Sequence, residues 1–194
     1  AKNLKALVAH GRRVVPVARP ERLRDLQKGW VQGLRAHPIT GRQLPRLGTA
    51  GLLTGMQAHR MLATRNFSRG RFERFDAVSG ETLAEEHLVR NGGCTGCPVH
   101  CGREVILPEK EAALPSPGGQ PGAPEAAAGT EHAIPKDRRI KGPELETIVL
   151  LGPNLENADL AEIIRWNHQL DELGMDSIST GGTIAFAMEL NEKG

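Results

Sequence analysis

Apolar residues recur at helical spacing after Pro20, and this pattern predicts the first helix of the chain. Proline suits the first turn of a helix, and the pair His37-Pro38 is expected to end it. A stripe of this kind normally faces a core, so Trp30 is expected to be a core residue. The stripe consists of Leu23, Leu26, Trp30 and Leu34.

The clearest helical pattern lies near the C-terminal end of the sequence. Asn157 or Asp159 is expected to cap this helix, because short polar side chains accept hydrogen bonds from free backbone N–H groups. Gly174 is expected to end it, because glycine adopts the left-handed conformation that follows many helices. Its predicted buried residues are Leu160, Ile163, Ile164, Asn167, Leu170 and Leu173.

Three shorter helices complete the helical pattern. Their predicted ranges are Leu52 to Leu62, Gly80 to Val89 and Thr183 to Leu190. Ser79 is expected to cap the second helix, and Ser179 or Thr180 the third. Residues 64–72 are predicted to form a surface loop held by its two phenylalanines.

Only one strand is predicted. The segment from Leu4 to Val8 is short and apolar, and a lone strand needs a sheet to join, so we expect it to belong to a preceding domain. Residues 108–135 are rich in proline and glycine and have almost nothing to bury, which predicts a flexible insertion. The expected fold class is therefore mainly α, with one short N-terminal strand.

Composition narrows the function classes. The 194 residues carry a net charge of only +2, and their basic residues are scattered, so no nucleic-acid surface is predicted. No apolar run approaches the roughly 18 residues of a membrane span. An odd, clustered set of cysteines favours a reducing compartment, so a cytoplasmic location is expected. The chain begins with Ala and ends within a predicted helix, and we expect it to be a piece of a longer polypeptide.

All three cysteines of the chain, Cys94, Cys97 and Cys101, lie within eight residues. Clustered thiolates on a turn with glycine and proline are typical of a metal or iron–sulfur site. A [4Fe–4S] cluster normally takes four cysteines, so one ligand would be missing. The alternatives are a structural zinc with His100 or His87 as fourth ligand, and redox or disulfide-bonded thiols; zinc sites usually carry a second, separated ligand pair, which this sequence lacks.

Two carboxylate pairs are further candidates for chemistry. Glu144 and Glu146 can serve as an acid or a base, although surface carboxylates are the default interpretation. Asp171 and Asp176 flank the turn at Gly174, where they can accept hydrogen bonds from an amino-rich heterocycle or cap helices. Spacing alone favours caps.

Six motifs, in this order, resemble the tungsten-containing aldehyde ferredoxin oxidoreductases over nearly the whole chain outside the insertion. Each is a modest signal, and their combination is specific. The motifs are Asn3-Leu-Lys-Ala-Leu, Gly48-Thr-Ala-Gly51, Thr64-Arg-Asn-Phe67 with Gly70, Cys94-x2-Cys97-Pro-x2-Cys101-Gly-Arg103, Lys141-Gly-Pro-Glu-Leu-Glu-Thr147 and Asp171-x2-Gly-Met-Asp176-Ser-Ile-Ser179.

The resemblance implies oxidation of a small aldehyde to a carboxylic acid at tungsten, or molybdenum, held by two pterin dithiolenes. Electrons would leave through a [4Fe–4S] cluster to ferredoxin. The resemblance makes Cys94, Cys97 and Cys101 three ligands of that cluster. It makes Glu146 a proton acceptor near the metal.

The same resemblance places a pterin contact at the Gly174 turn. Asp171 would contact one pterin together with the backbone around Gly174, Met175 and Asp176. Methionine stands at position 175 where the family usually has leucine, a change that conserves volume.

The domain organisation follows from the resemblance. Residues 1–17 would end an N-terminal pterin-binding domain, and residues 18–107 would form a helical segment with the cluster loop. Residues 108–139 are the flexible insertion, and residues 140–194 a truncated helical segment that contacts pterin.

Parts of the family pattern lie outside these residues. The fourth cluster cysteine, the second pterin motif and most of the N-terminal domain are not among them, so flanking regions or a partner subunit would supply the fourth ligand. The chain alone is therefore expected to be inactive. Two alternatives stay open: a non-catalytic iron–sulfur electron-transfer or scaffold subunit, and a zinc-stabilised interaction module.

Overall fold

A computed structural model describes residues 6–12, 15–108 and 139–194. These residues form seven α-helices and three strands. The helices are α1 Pro20–Ala36, α2 Leu44–Leu47, α3 Leu53–Ala58, α4 Gly80–Thr82, α5 Leu145–Leu151, α6 Leu160–Leu173 and α7 Ser177–Lys193. The strands are β1 Leu88–Gly92, β2 Gly102–Ile106 and β3 Arg139–Lys141. A short π-helical turn at Ile39–Gln43 leads directly into α2, and another at Leu83–His87 directly follows α4.

Helix α5 lies at the centre of the main core. Its residues from Thr147 to Leu151 are all buried, and four of these five are aliphatic. Helix α6 and the segment between α3 and β1 pack around it. Each fully buried leucine or isoleucine in this cluster contributes about 1.5–3 kcal/mol relative to an exposed one.

Helix α6 agrees with the prediction in its bounds and caps. The Asp159 carboxylate accepts a hydrogen bond from the backbone N–H of Glu162 at 2.9 Å, and Gly174 ends the helix in the left-handed conformation. Five residues of the predicted stripe are buried, but Leu173 is half exposed because it lies in the last turn, beside the α6–α7 corner. Trp166 is half-buried and packs against the core.

Helix α7 is longer than predicted and has a different cap. It begins at Ser177, and the Asp176 carboxylate accepts a hydrogen bond from the N–H of Ser179 at 2.6 Å, so neither Ser179 nor Thr180 is the cap. The helix passes close to α5 at Gly181, where a Cβ would stand 2.5 Å from the carbonyl oxygen of Leu150. The glycine therefore permits the packing of α7 on α5.

An antiparallel sheet in the order β1-β2-β3 was not predicted. Gly92 lies opposite Gly102 in the first pair of strands, and Val105 lies opposite Ile140 in the second. The helix predicted from Gly80 to Val89 ends at His87, where the chain enters β1; its predicted N-cap, Ser79, is confirmed. These strands are only three to five residues long, and β3 pairs with β2 from the far side of residues 107–138, so local periodicity does not reveal them.

The predicted N-terminal strand is not observed in residues 6–8, and residues 1–5 lie outside the described part. The strands of the described sheet pair only with one another, so residues 6–12 have no strand partner among the described elements. Helix α1 has the predicted bounds, but three residues of its apolar stripe, Leu23, Leu26 and Trp30, are exposed, and only Leu34 is half-buried. Trp30 is 73% exposed, so the prediction that it is a core residue is wrong. Helical periodicity identifies a face suited to burial without identifying what covers it.

The predicted insertion falls almost entirely on residues 109–138, which lie outside the described residues. Ile106 lies opposite Arg139, so both flanks of that segment belong to the same sheet. None of the helices in the described ranges is both long and apolar enough to cross a membrane.

Candidate functional site

The cysteine loop is the turn of the hairpin formed by β1 and β2. It spans residues 93–101 and carries Cys94, Cys97 and Cys101, all as free thiols. The N–H of Cys97 donates to the carbonyl oxygen of Cys94 at 3.0 Å. Gly96 and His100 have positive φ, so the loop makes two sharp changes of direction within a few residues.

All three cysteines line one cleft of about 680 Å³, together with residues of all three strands. A bidentate ion pair crosses the hairpin at its rim: Arg90 donates to both carboxylate oxygens of Glu104, at 2.6 and 2.5 Å. This pair lowers the pKa of Glu104 and favours the observed strand register. The remaining lining residues are Gly92, Gly93, Gly102, Arg103, Arg139, Ile140, Lys141 and Glu144.

Arg103 is a buried cation directly beneath the cysteine loop, with only 4% of its surface exposed. Its guanidinium donates to Asn91 Oδ1 at 3.0 Å, to the carbonyl oxygen of Gly102 at 3.0 Å and to that of Leu44 at 2.7 Å. Burial lowers the pKa of Arg103, and the charges of Glu144 and Cys101 act in the opposite direction. Strand alternation places Arg103 on the same buried face as Val105, a signal that the sequence contained and that the prediction did not use.

Gly48 allows the loop to approach the helical part of the protein. Its backbone has φ +63° and ψ −159°, a conformation that is essentially restricted to glycine. A Cβ at this position would stand 2.7 Å from the carbonyl oxygen of Cys101 and 3.2 Å from Arg103 Cζ. The glycine segment 47–51 is therefore a close backbone contact with the cysteine loop.

Of the two candidate carboxylates Glu144 and Glu146, Glu144 is the one that lines the cysteine cleft. The hydroxyl of Thr49 donates to Glu144 Oε2 at 2.7 Å and accepts from the N–H of Leu145 at 2.9 Å. Glu146 lies in the first turn of α5 with its side chain exposed. Sequence spacing gave no basis for separating the two carboxylates, because a contact with Thr49 spans 95 positions.

The predicted pterin-contacting residues lie together at the corner between α6 and α7. Asp171, Gly174, Met175 and Asp176 are all exposed there, and none of them lines the cysteine cleft. The Asp176 carboxylate caps α7, and hydrogen bonds from Ser179 lower its pKa. The carbonyl oxygen of Asp171 accepts from the N–H of Gly174 at 3.1 Å.

The first turn of α5 connects the cleft and the corner. Glu144, the N-cap residue, lines the cysteine cleft, whereas Thr147 is hydrogen-bonded to Ser177 at the start of α7, with 2.8 Å between the two hydroxyl oxygens. Glu146 lies between these two residues in the sequence. The structure therefore places the predicted proton acceptor on the turn that joins the two predicted cofactor regions.

His87, an alternative zinc ligand, lies away from the cysteines. It precedes β1 at the end of the hairpin opposite the loop, and it lines a different cleft with Asp159. Burial lowers the pKa of His87. His100 lies within the loop itself.

A separate cleft of about 300 Å³ lies between the loop 64–69 and α7. Arg65, Asn66 and Phe67 have positive φ in succession, and their N–H groups donate to Pro153 O, Asn154 O and Asn154 Oδ1. Phe67 is exposed, so Phe72 is the only one of the two phenylalanines that anchors this segment as predicted. The contacts with Pro153 and Asn154 account for the unusual backbone.

Comparison with known proteins defines the class to which this helical fold and cysteine hairpin belong. The family model described as aldehyde ferredoxin oxidoreductase, domains 2 and 3, matches residues 25–194. The chain belongs to the aldehyde ferredoxin oxidoreductase family, a family of enzymes.

Individual relatives agree with this assignment. The chain is 39% identical to the tungsten-containing aldehyde ferredoxin oxidoreductase of Thermococcus kodakarensis. It is 40% identical to the protein of that name from Pyrococcus horikoshii and 37% identical to the one from Pyrococcus furiosus. Each alignment covers the whole chain but only 28% of the relative, so the chain spans little more than a quarter of their length.

Proposed function

We propose that this chain is the part of a tungsten-containing oxidoreductase that holds a [4Fe–4S] cluster and contacts one pterin of the metal centre. The whole enzyme would oxidise a small aldehyde to a carboxylic acid and pass the electrons to ferredoxin. Family membership supports the reaction class, and the relatives' names support tungsten.

The observation that carries the proposal is the position of the first turn of α5. Glu144 at its start lines the cleft of the three cysteines, and Thr147 three residues later bonds to Ser177 beside the α6–α7 corner. A cluster and a pterin held at these two places would be neighbours across a single helical turn. That proximity is what electron transfer between the two groups requires.

The donor set of the cleft suits an iron–sulfur cluster. In a [4Fe–4S] cluster each thiolate binds a different iron, so its cysteines are spread around the cluster. A structural zinc needs four ligands around one point, at about 2.0–2.3 Å from the metal. Within the described ranges, no three His, Cys, Asp or Glu side chains are grouped closely enough to hold one metal ion.

The residues of this chain have separate tasks in the proposed reaction. Oxidation of an aldehyde with water to a carboxylic acid releases two electrons and two protons, and the bound metal and cluster would supply the electron-accepting chemistry. Cys94, Cys97 and Cys101 would hold the cluster. Glu146, whose side chain is exposed on the connecting turn, would accept a proton.

The pterin contact would use the α6–α7 corner. The Asp171 side chain is exposed there and is available to accept hydrogen bonds from the amino groups of a pterin. The backbone of Gly174, Met175 and Asp176 would complete the contact. The Asp176 carboxylate already caps α7, so its contribution would come from its backbone and from the helix that it stabilises.

Metal analysis of the anaerobically purified chain tests the cluster assignment. After reconstitution with iron and sulfide, we expect about four iron and four sulfide per chain with the matching optical and EPR spectra. Cys97→Ser should reduce cluster occupancy, whereas Thr95→Ser in the same loop should not. Stoichiometric zinc without sulfide would overturn the proposal in favour of a zinc-binding module.

A further inference from the structure

Arg103 is a cation that forms no direct ion pair with the described residues. It is 4% exposed, and among the described residues no carboxylate lies within 4.0 Å of its guanidinium. Its Nε has no hydrogen-bond partner in the described part of the chain. The charge of Glu144, in the same cleft, acts on Arg103 without forming a direct ion pair. A buried charge that is not directly paired is costly, so this site favours a further negatively charged group nearby.

The cysteine loop offers candidates for that further negative charge. Arg103 follows Cys101 by two positions, lines the same cleft as the three cysteines and contacts the backbone of the loop. Three thiolates, or a cluster bound by them, would bring negative charge to this cleft. The cation would then stabilise the more negative state, which for a cluster is the reduced state.

The hydrogen bonds of Arg103 also hold the loop in place. One terminal nitrogen donates to Asn91 Oδ1 on β1 and to Gly102 O at the start of β2, and the other donates to Leu44 O in α2. Asn91 adds a bond from its own Nδ2 to Pro45 O at 2.6 Å. The two side chains therefore fasten both strands of the hairpin to the last helical turn before Gly48.

A lysine at position 103 would reproduce the charge but not this arrangement. The guanidinium presents several N–H donors in a fixed plane, whereas an ammonium group is a compact point charge on a flexible stem. Substitution by lysine or by methionine therefore separates the two contributions. Lysine keeps the charge and loses part of the hydrogen bonding, and methionine loses both.

We propose that Arg103 is a positioning residue that fixes the cysteine loop on the helical body and stabilises the reduced form of the group that the cysteines hold. This inference rests on the proposed function for the nature of that group. The fixing of the loop depends only on contacts within this chain.

Hydrogen exchange of the reduced, metal-free chain tests the fixing of the loop without any cluster. We expect Arg103→Met to raise amide exchange at least fivefold in peptides covering residues 44–48 and 88–106, with exchange in α6 unchanged. Arg103→Lys should raise it by a smaller factor. Arg71→Lys is the matched control, because Arg71 donates to the backbone carbonyls of Gln57 and Ala58 away from the cleft.

Redox titration of the reconstituted chain tests the effect of the charge. Arg103→Met should have a more negative midpoint potential than the wild type, and Arg103→Lys should stay close to the wild type. The inference would be overturned if both Arg103 variants had the amide exchange rates of the wild type. It would also be overturned if Arg103→Met had the midpoint potential of the wild type. If the wild type assembles no cluster, the proposed function fails, and the exchange experiment still decides whether Arg103 fixes the loop.

Discussion

The carbonyl oxygen of Cys101 lies against the α-carbon of Gly48, so that a Cβ at position 48 would stand 2.7 Å from it. Real Cβ atoms essentially never approach another heavy atom so closely, and the clashing group is backbone, which cannot rotate away. This contact joins the cysteine loop to the helical body, and it explains why glycine is needed at position 48.

Gly48→Ala should therefore destabilise the chain and disturb the cysteine loop. The backbone conformation alone costs a non-glycine residue about 1–3 kcal/mol, and the clash with Cys101 adds to it. Gly55→Ala is the control, because Gly55 lies within α3 with nothing within 4 Å of a Cβ. That control should be neutral or stabilise by up to about 1 kcal/mol. Urea denaturation measures the free energy of unfolding of both variants. Equal changes in the two variants would contradict the contact between Gly48 and Cys101.

Gly181→Ala should separate α7 from α5. A Cβ at position 181 would stand 2.5 Å from the carbonyl oxygen of Leu150, so the helices must move apart, at a cost of about 1–3 kcal/mol. The adjacent Gly182 has open space around its α-carbon, so Gly182→Ala should stabilise α7 by up to about 1 kcal/mol. Thermal unfolding followed by circular dichroism should show a lower unfolding midpoint for Gly181→Ala and a higher one for Gly182→Ala. A shift of both midpoints in the same direction would refute the close packing of α7 on α5.

Asp176→Ala should lower the midpoint of thermal unfolding, because it removes the carboxylate that caps α7. Asp171→Ala, on the other side of the same corner, should leave the midpoint nearly unchanged, because its side chain is exposed and caps no helix. Hydrogen bonds from Ser179 lower the pKa of Asp176 in the folded chain. The stabilisation is complete above the ordinary aspartate pKa of about 3.9 and is lost as the pH falls through the lower folded value.

Unfolding midpoints measured over a range of pH values check the direction in which the stabilisation by Asp176 changes with pH. The difference between the wild type and Asp176→Ala should be constant near neutral pH and shrink in strongly acidic solution. A difference that grows as the pH falls would show that Asp176 does not act as an ionised cap. Asp176→Asn should retain most of the stability at all pH values, because asparagine is an equally good N-cap.

The two tryptophans should behave differently. Trp30 is 73% exposed, so Trp30→Ala should change the free energy of unfolding of this chain by no more than about 0.5 kcal/mol. Trp166 is half-buried against the core, so Trp166→Ala should cost roughly 2 kcal/mol, about half the cost for a fully buried tryptophan. Acrylamide should quench the fluorescence of Trp30 more strongly than that of Trp166, and equal quenching would indicate that the α1 stripe is covered.

Features whose physical causes lie within a few residues could be predicted from the sequence. Helix α6 begins at the Asp159 cap and ends at the left-handed Gly174, as predicted, because capping and helical periodicity act within one or two turns. The cysteine loop was recognisable for the same reason, since its three thiols lie within eight residues. Family membership followed from motifs of this local kind.

Contacts between side chains that lie far apart in the sequence could be found only in the folded chain. Strand pairing, the burial of Arg103 and the contact between Thr49 and Glu144 each join residues from separate elements. No local pattern specifies such contacts, because the free energy that fixes them comes from packing and hydrogen bonding between distant segments. The exposure of Trp30 shows the same limit: periodicity predicted the apolar face of α1, and only the folded chain shows what lies against it.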